Sequence, residues 1–242
     1  MSAITDPAVT RLLDELYADA ATKDPAAHAA IQASGATHPT ERDFFMAMKT
    51  AYMPVSRQFG HLLYAVARTA RAHTIVEFGT SFGLSTIFLA AAIRDNGAGR
   101  VITTEFEPGK AARARANLAA AGLAEVVDIR LGDARDTLRA DPPQDIDLVL
   151  LDGAKSMYLG ILQQLEPHLR PGATIASDNT DFDGFEPFLA YVRSPANGYF
   201  SSAILTAGRQ RTMGHELSVY LGRSTAVTGH PARAGDGLQR KP

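Results

Sequence analysis

Apolar, β-rich runs at 100–105, 126–131, 146–151 and 172–177 alternate with segments of helical periodicity near 108–121, 133–140 and 156–169. That alternation constrains the chain more than any other feature, because parallel strands need crossovers, and helical crossovers in one sheet are right-handed. An α/β fold with a mostly parallel sheet is the expectation. Pro108 suits a first helical turn, Gly122 the end of that helix, and Pro171-Gly172 the stop before the fifth strand. A helix is expected from Gly184 to about Val192, followed by the turn Ser194-Pro195-Ala196-Asn197-Gly198. The runs Tyr199 to Leu205 and Glu216 to Leu221 have no helix between them, which predicts an antiparallel pair at one edge.

The series begins in Thr74-Ile75-Val76-Glu77-Phe78-Gly79-Thr80-Ser81-Phe82-Gly83-Leu84-Ser85-Thr86, which reads as strand, tight turn, helix. Gly79 and Gly83 permit positive φ and close ligand approach, and the helix start offers unpaired N–H groups. An ordinary glycine-containing βα connection looks the same, so other residues must decide whether a ligand binds.

Upstream the chain is mostly helical. Leu12, Leu13, Leu16 and Tyr17 recur at helical spacing in an alanine-rich stretch over 7–34, where Pro25 is expected to begin a second helix after Asp24. A loop over Ser34 to Thr40 precedes a helix expected from Glu41 to about Tyr52 and broken by Pro54. Val55 to Arg71 is again helical in period. The expected organisation is therefore accessory helices over 1–54, a main domain over 55–222, and a disordered tail over 223–242 with little to bury.

Composition excludes several classes. The 242 residues suit one α/β domain with an extension. Lys plus Arg number 24 against 26 Asp plus Glu, without a dense basic block, so nucleic acid is not an expected partner. The absence of cysteine removes disulfides, thiolate zinc sites and cysteine nucleophiles. No apolar run approaches the roughly eighteen residues of a membrane span. With Asp6, Asp14 and Glu15 near the start, a cytoplasmic protein without a membrane partner is expected.

In an open parallel sheet, ligands lie outside the carboxyl ends of the strands. The second strand ends at Glu105, whose carboxylate can accept two hydrogen bonds from a ribose diol, or can simply be a solvated charge. The third runs into Gly132-Asp133-Ala134, where a polar loop can hold an adenine edge and where Asp133 is equally a good N-cap. The fourth ends in Leu151-Asp152-Gly153-Ala154-Lys155 and the fifth in Ser177-Asp178-Asn179. If these two strands are neighbours, about 4.8 Å apart, Asp152, Asp178 and Asn179 can converge. Two carboxylates and an amide oxygen without His or Cys form a hard-cation set suited to magnesium. Taken singly, Asp152 is also a plausible N-cap and Asp178-Asn179 a polar turn. Lys155, at a helix start where the dipole disfavours it, is either a surface lysine or a general base beside a hydroxyl.

Glu77-Phe78-Gly79-Thr80-Ser81-Phe82-Gly83-Leu84-Ser85, Thr104-Glu105, Leu151-Asp152-Gly153-Ala154-Lys155 and Ser177-Asp178-Asn179 together resemble the class I S-adenosylmethionine-dependent O-methyltransferases of the catechol and caffeoyl-CoA type. The resemblance covers about residues 53 to 222. It implies a Rossmann-like, doubly wound, seven-stranded sheet whose last strand is antiparallel, and S-adenosylmethionine over the glycine turn. It implies that Glu77, Gly79, Ser81 and Ser85 surround the methionine part, with Val55 also touching the cofactor. Glu105 would bind the ribose, and the loop with Asp133 and Ala134 the adenine. Asp152, Asp178 and Asn179 would hold Mg2+, with Asp152 also beside the cofactor, and Lys155 would deprotonate the hydroxyl of a small aromatic, catechol-like acceptor. Homodimers are common in the family.

The chain departs from that pattern in two places. Catechol enzymes carry bulky residues just after the metal aspartate, where this chain has Gly153-Ala154, and a glutamate against the second substrate hydroxyl, near which this chain has Ala207. Phe182 and Phe185 can line an acceptor site or pack in the core. Two alternatives share the fold: a metal-independent methyltransferase and a catalytically silent cofactor-binding protein. A nicotinamide enzyme does not fit, because Gly79 to Leu84 lacks the G-x-G-x-x-G spacing.

Overall fold

The computed structural model of the chain describes residues 2–207 and 212–222, so the disorder expected of 223–242 lies outside the described residues. Helices α1 (Pro7–Ser34), α2 (Glu41–Ala47) and α3 (Arg57–Thr69) precede the sheet. Then come β1 (Thr74–Phe78), α4 (Leu84–Asn96), β2 (Arg100–Glu105), α5 (Pro108–Ala120), β3 (Val127–Leu131), α6 (Ala134–Ala140), β4 (Ile146–Leu151), α7 (Tyr158–Leu165), β5 (Leu169–Ser177) and α8 (Glu186–Val192). The hairpin β6 (Tyr199–Ala207) and β7 (Thr212–Tyr220) closes the fold.

The seven strands lie in the order β3-β2-β1-β4-β5-β7-β6. β1 pairs in parallel with both β2 and β4, and β4 with β5, while β7 runs antiparallel between β5 and β6. Winding therefore reverses between β1 and β4, which opens a crevice at their carboxyl ends. Alternating strand residues feed two cores: Ile75, Leu148 and Leu150 pack on the side of α3 and α4, and Val76, Val149 and Leu151 on the side of α7 and α8. Every residue of α4 from Leu84 to Ile93 is buried, as expected of a helix apolar on all sides and sandwiched between sheet and α3. Val9, Leu13, Leu16 and Ala20 of α1 join this same core.

Three expectations fail locally. Pro25 does not start a new helix but sits inside α1, on an exposed stretch where the loss of one helical hydrogen bond meets no packing constraint. α2 stops at Ala47 rather than near Tyr52. Asp24 takes the N–H groups of Tyr52 (2.7 Å) and Met53 (3.1 Å), and Met48, Ala51 and Tyr52 are buried as a turn. The helix expected over 156–169 splits into a 3-10 turn at Lys155–Met157, α7, and a second 3-10 turn at Glu166–His168 that contains Pro167. β5 consequently begins at Leu169 and incorporates Pro171-Gly172.

Candidate active site

A cavity of about 1210 Å³ opens over the carboxyl ends of β1, β2 and β4. The turn after β1 forms its floor. Gly79 has φ +106°, and a Cβ there would stand 2.6 Å from the Asp152 carbonyl oxygen and 2.9 Å from Gly153 N, so the turn can pass the β4 loop only as glycine. Thr80 N and its hydroxyl both donate to Thr104 O, at 3.1 and 3.0 Å, which ties the turn to β2. Ser81, at φ +47°, donates its N–H to Glu105 Oε2 (2.8 Å) and its hydroxyl to Tyr52 O (2.7 Å). Glu105 Oε1 accepts from Glu107 N at 2.9 Å, and burial pushes this carboxyl upward from its ordinary value. Val55, Gly79, Ser81, Ser85, Glu105, Asp133, Ala134, Asp152, Lys155 and Asn179 all line the cavity.

Glu77 lies beneath the wall. It is fully buried and accepts from Ser85 Oγ and Thr86 Oγ1, both at 2.6 Å, and burial raises its pKa. Asp133 caps α6, accepting from Arg135 N at 2.9 Å, while the Arg135 guanidinium holds its carboxyl below the usual range.

β4 and β5 are neighbours in the register Leu151↔Ser177, which brings Asp152 and Asp178 side by side. Burial, and then the charge of Asp178, push the Asp152 carboxyl well above the usual carboxylate range. Asn179 donates its amide to Asp178 Oδ2, while its own Oδ1 is buried without a partner. Lys155 Nζ lies 3.7 Å from Asp152 Oδ1, 2.6 Å from the Tyr158 hydroxyl and 3.4 Å from Asp178 O. Among the described residues, no cluster of three His, Cys, Asp or Glu side chains is disposed to hold a metal ion. The two aromatic candidates part company: Phe182 is half exposed at the cavity, and Phe185 is core, packed on Tyr158 and Phe188. Ala207 lies outside the lining, its N–H bound to Gln58 Oε1 at 2.7 Å.

Several residues carry no local signal and were not expected. His215 of β7 sits beside Asp178, Tyr158 supports Lys155, and Glu41 and Arg42 of α2 reach into the cavity wall. His215 and the Glu41-Arg42 pair arrive from distant parts of the chain, so spacing could not have disclosed them, whereas Tyr158 lies three residues after Lys155.

A seven-stranded sheet with an antiparallel seventh strand, a glycine turn and a carboxylate at the end of β2 define an α/β protein with a nucleoside-cofactor crevice of methyltransferase type. The sequence profile of a methyltransferase-domain family matches residues 76–180. The chain is 36% identical over 156 residues to the catechol O-methyltransferase of Mycobacterium tuberculosis (64% of this chain, 65% of that protein). It is 38% identical over 133 residues to that of Niastella koreensis (54% and 59%). It thus spans less than two thirds of the length of either relative. Among solved structures, the O-methyltransferase TomG from Streptomyces achromogenes, in complex with SAM, matches with TM-score 0.64 and 30% identity, covering 70% of this chain and 82% of that one. The chain belongs to the class I S-adenosylmethionine-dependent O-methyltransferases. Among the described residues no helix is long and apolar enough to cross a membrane.

Proposed function

We propose that the protein transfers a methyl group from S-adenosylmethionine to a hydroxyl of a small aromatic, catechol-like acceptor, with a divalent cation at Asp152, Asp178 and Asn179. The observation that carries the reading is the meeting of Asp152, Lys155, Asp178 and Asn179 beside the Gly79 turn, one strand from the expected seat of the methyl donor.

The cation set fits its residues. Asp152 stands beside the buried Asp178, burial and then the charge of Asp178 push the Asp152 carboxyl up, and the buried Asn179 Oδ1 lacks a partner. Asp152, Asp178 and Asn179 would hold a hard cation that keeps several waters, and magnesium would suit that donor set. Such a cation would supply positive charge that makes a neighbouring hydroxyl more acidic. The protein's own part is alignment and proton removal. Glu105 engages the ribose and Ser85 the methionine end, with Val55 and Ala134 as apolar walls. Lys155 Nζ takes the hydroxyl proton, its amine steered by Tyr158 and the Asp178 carbonyl. In-line attack on the sulfonium methyl then requires only that the oxygen be held close.

The test is labelled methyl transfer from S-adenosylmethionine into catechols, hydroxycinnamoyl thioesters and polyphenols, with magnesium or with a chelator. Transfer that stops with chelator and in Asp178→Ala, while cofactor binding persists, supports the proposal. A second reading is metal-independent transfer by Lys155 alone, favoured because no group of three His, Cys, Asp or Glu side chains among the described residues is disposed to hold a metal ion. Chelator-insensitive turnover is its signature.

A further inference from the structure

The N-terminal segment enters the site through one carboxylate. Glu41 Oε1 accepts from Lys155 N at 2.9 Å, Glu41 Oε2 accepts from Ser156 N at 3.1 Å, and the Ser156 hydroxyl also donates to Oε2. These contacts join residues 114 and 115 positions apart. Glu41 is not needed in its own helix. Thr40 caps α2, accepting from Asp43 N at 3.1 Å and donating its hydroxyl to Asp43 Oδ2 at 2.7 Å. Conversely, neither the turn Lys155–Met157 nor α7 has a capping side chain of its own. A helix start leaves its first N–H groups without internal partners, and here a distant glutamate supplies the acceptor. Next to it, Arg42 lies over the Phe106 ring, 5.1 Å from its centroid, just beyond β2. The segment therefore crosses the mouth of the cavity from the β4 loop to the β2 loop, with His38, Phe44 and Phe45 lining the wall between.

We infer that Glu41 is a positioning residue for Lys155, and that the base is in place only when the segment around α2 lies across the cavity. The inference rests on the proposed role of Lys155. Closing the segment delivers the carboxylate, which fixes the backbone of residues 155 and 156 and thereby the arc open to the lysine amine. Assembly of the base and covering of the site are then one event.

Hydrogen exchange on the full chain with S-adenosylhomocysteine as probe tests this, comparing wild type, Glu41→Ala and Glu41→Gln. Lost capping predicts that Glu41→Ala exchanges the Lys155 and Ser156 amides about tenfold faster, together with residues 38–45. Glu41→Gln, which keeps acceptor oxygen at lower charge, falls between. With catechol as acceptor, kcat drops about tenfold in Glu41→Ala while the affinity for S-adenosylhomocysteine changes less than about threefold. Unchanged protection of both amides in Glu41→Ala, or faster exchange there without any change over 38–45, overturns the inference. Lys155→Met is run alongside. If it still turns over, the reading of Lys155 as base fails. If it is inactive while Glu41→Ala keeps wild-type protection and kcat, only the coupling fails.

Discussion

His215 Nδ1 stands 2.9 Å from Asp178 Oδ1, without the alignment of a linear hydrogen bond, while its Nε2 is 2.7 Å from Thr206 Oγ1. The ring is buried and stacks on Phe59 at 3.9 Å and 7°. An imidazole so clamped holds Asp178 Oδ1 from one side, while the Asn179 amide holds Oδ2 from the other. His215→Ala removes the stack and leaves Thr206 Oγ1 with Ser56 Oγ as its remaining side-chain partner, and about 2–3 kcal/mol of stability should go with it. His215→Phe restores volume but not the polar contact. A higher melting temperature in the Phe variant than in the Ala variant, with Mn2+ binding weakened in both, is the expected pattern; undiminished Mn2+ binding in both would remove any link between His215 and Asp178.

Glu105 offers a partly desolvated carboxylate whose two oxygens are already steadied by the backbone N–H groups of Ser81 and Glu107. Hydrogen bonds to a charged acceptor are worth about 1.5–3 kcal/mol. Glu105→Ala should therefore weaken S-adenosylhomocysteine binding by roughly 10- to 100-fold in calorimetric titration. Wild-type affinity would show that the nucleoside is held elsewhere.

Glu77 supplies a pH dependence. Burial raises its pKa in the folded state. A raised folded pKa means that the folded protein holds the proton more tightly, so this contribution to stability is complete below the ordinary glutamate value of 4.5 and is lost as pH rises through the folded pKa. Glu77→Gln removes the loss. Its melting temperature relative to wild type should climb from acid toward neutral pH, on a scale set by about 1.4 kcal/mol per pKa unit. A difference that stays flat across that range would contradict the assignment.

Gly79 and Gly153 meet different obstacles. A methyl group at 79 runs into backbone at positive φ, whereas one at 153 meets the Phe78 ring at 2.5 Å. Gly79→Ala should cost more than about 2 kcal/mol and abolish cofactor binding, and Gly153→Ala about 1–3 kcal/mol as overpacking. Chemical denaturation ranks the two, and the reverse order would mean that the β4 loop yields more easily than the ring. The Phe78 ring fills the space a side chain at 153 would take, which gives a physical reason for the glycine where catechol enzymes carry bulk.

The sheet and the strand-end residues were legible because period and strand ends are local properties: β2 and β4 occur at the expected residues, and β3 and β1 within one of theirs. The interruption after α7 turned on Pro167 and a long β5, whose pairing with β4 is irregular between Ile146 and Leu148. α1 read through Pro25 because its apolar stripe, and not its breaker, is what docks. Within the site, Glu105, Asp152, Lys155 and Asn179 stood at strand ends and could be placed. His215 and Glu41 could not, since their partners are found only after β7 slots between β5 and β6 and α2 crosses the cavity.

β1 and β4 are paired directly, with Asp152 N bound to Phe78 O at 2.9 Å. The gap between the glycine turn and the acidic cluster is accordingly a property of sheet spacing, not of any loop. Changes in the helices that cover the cavity therefore leave the separation of Phe78 and Asp152 untouched, because that separation is fixed by strand pairing.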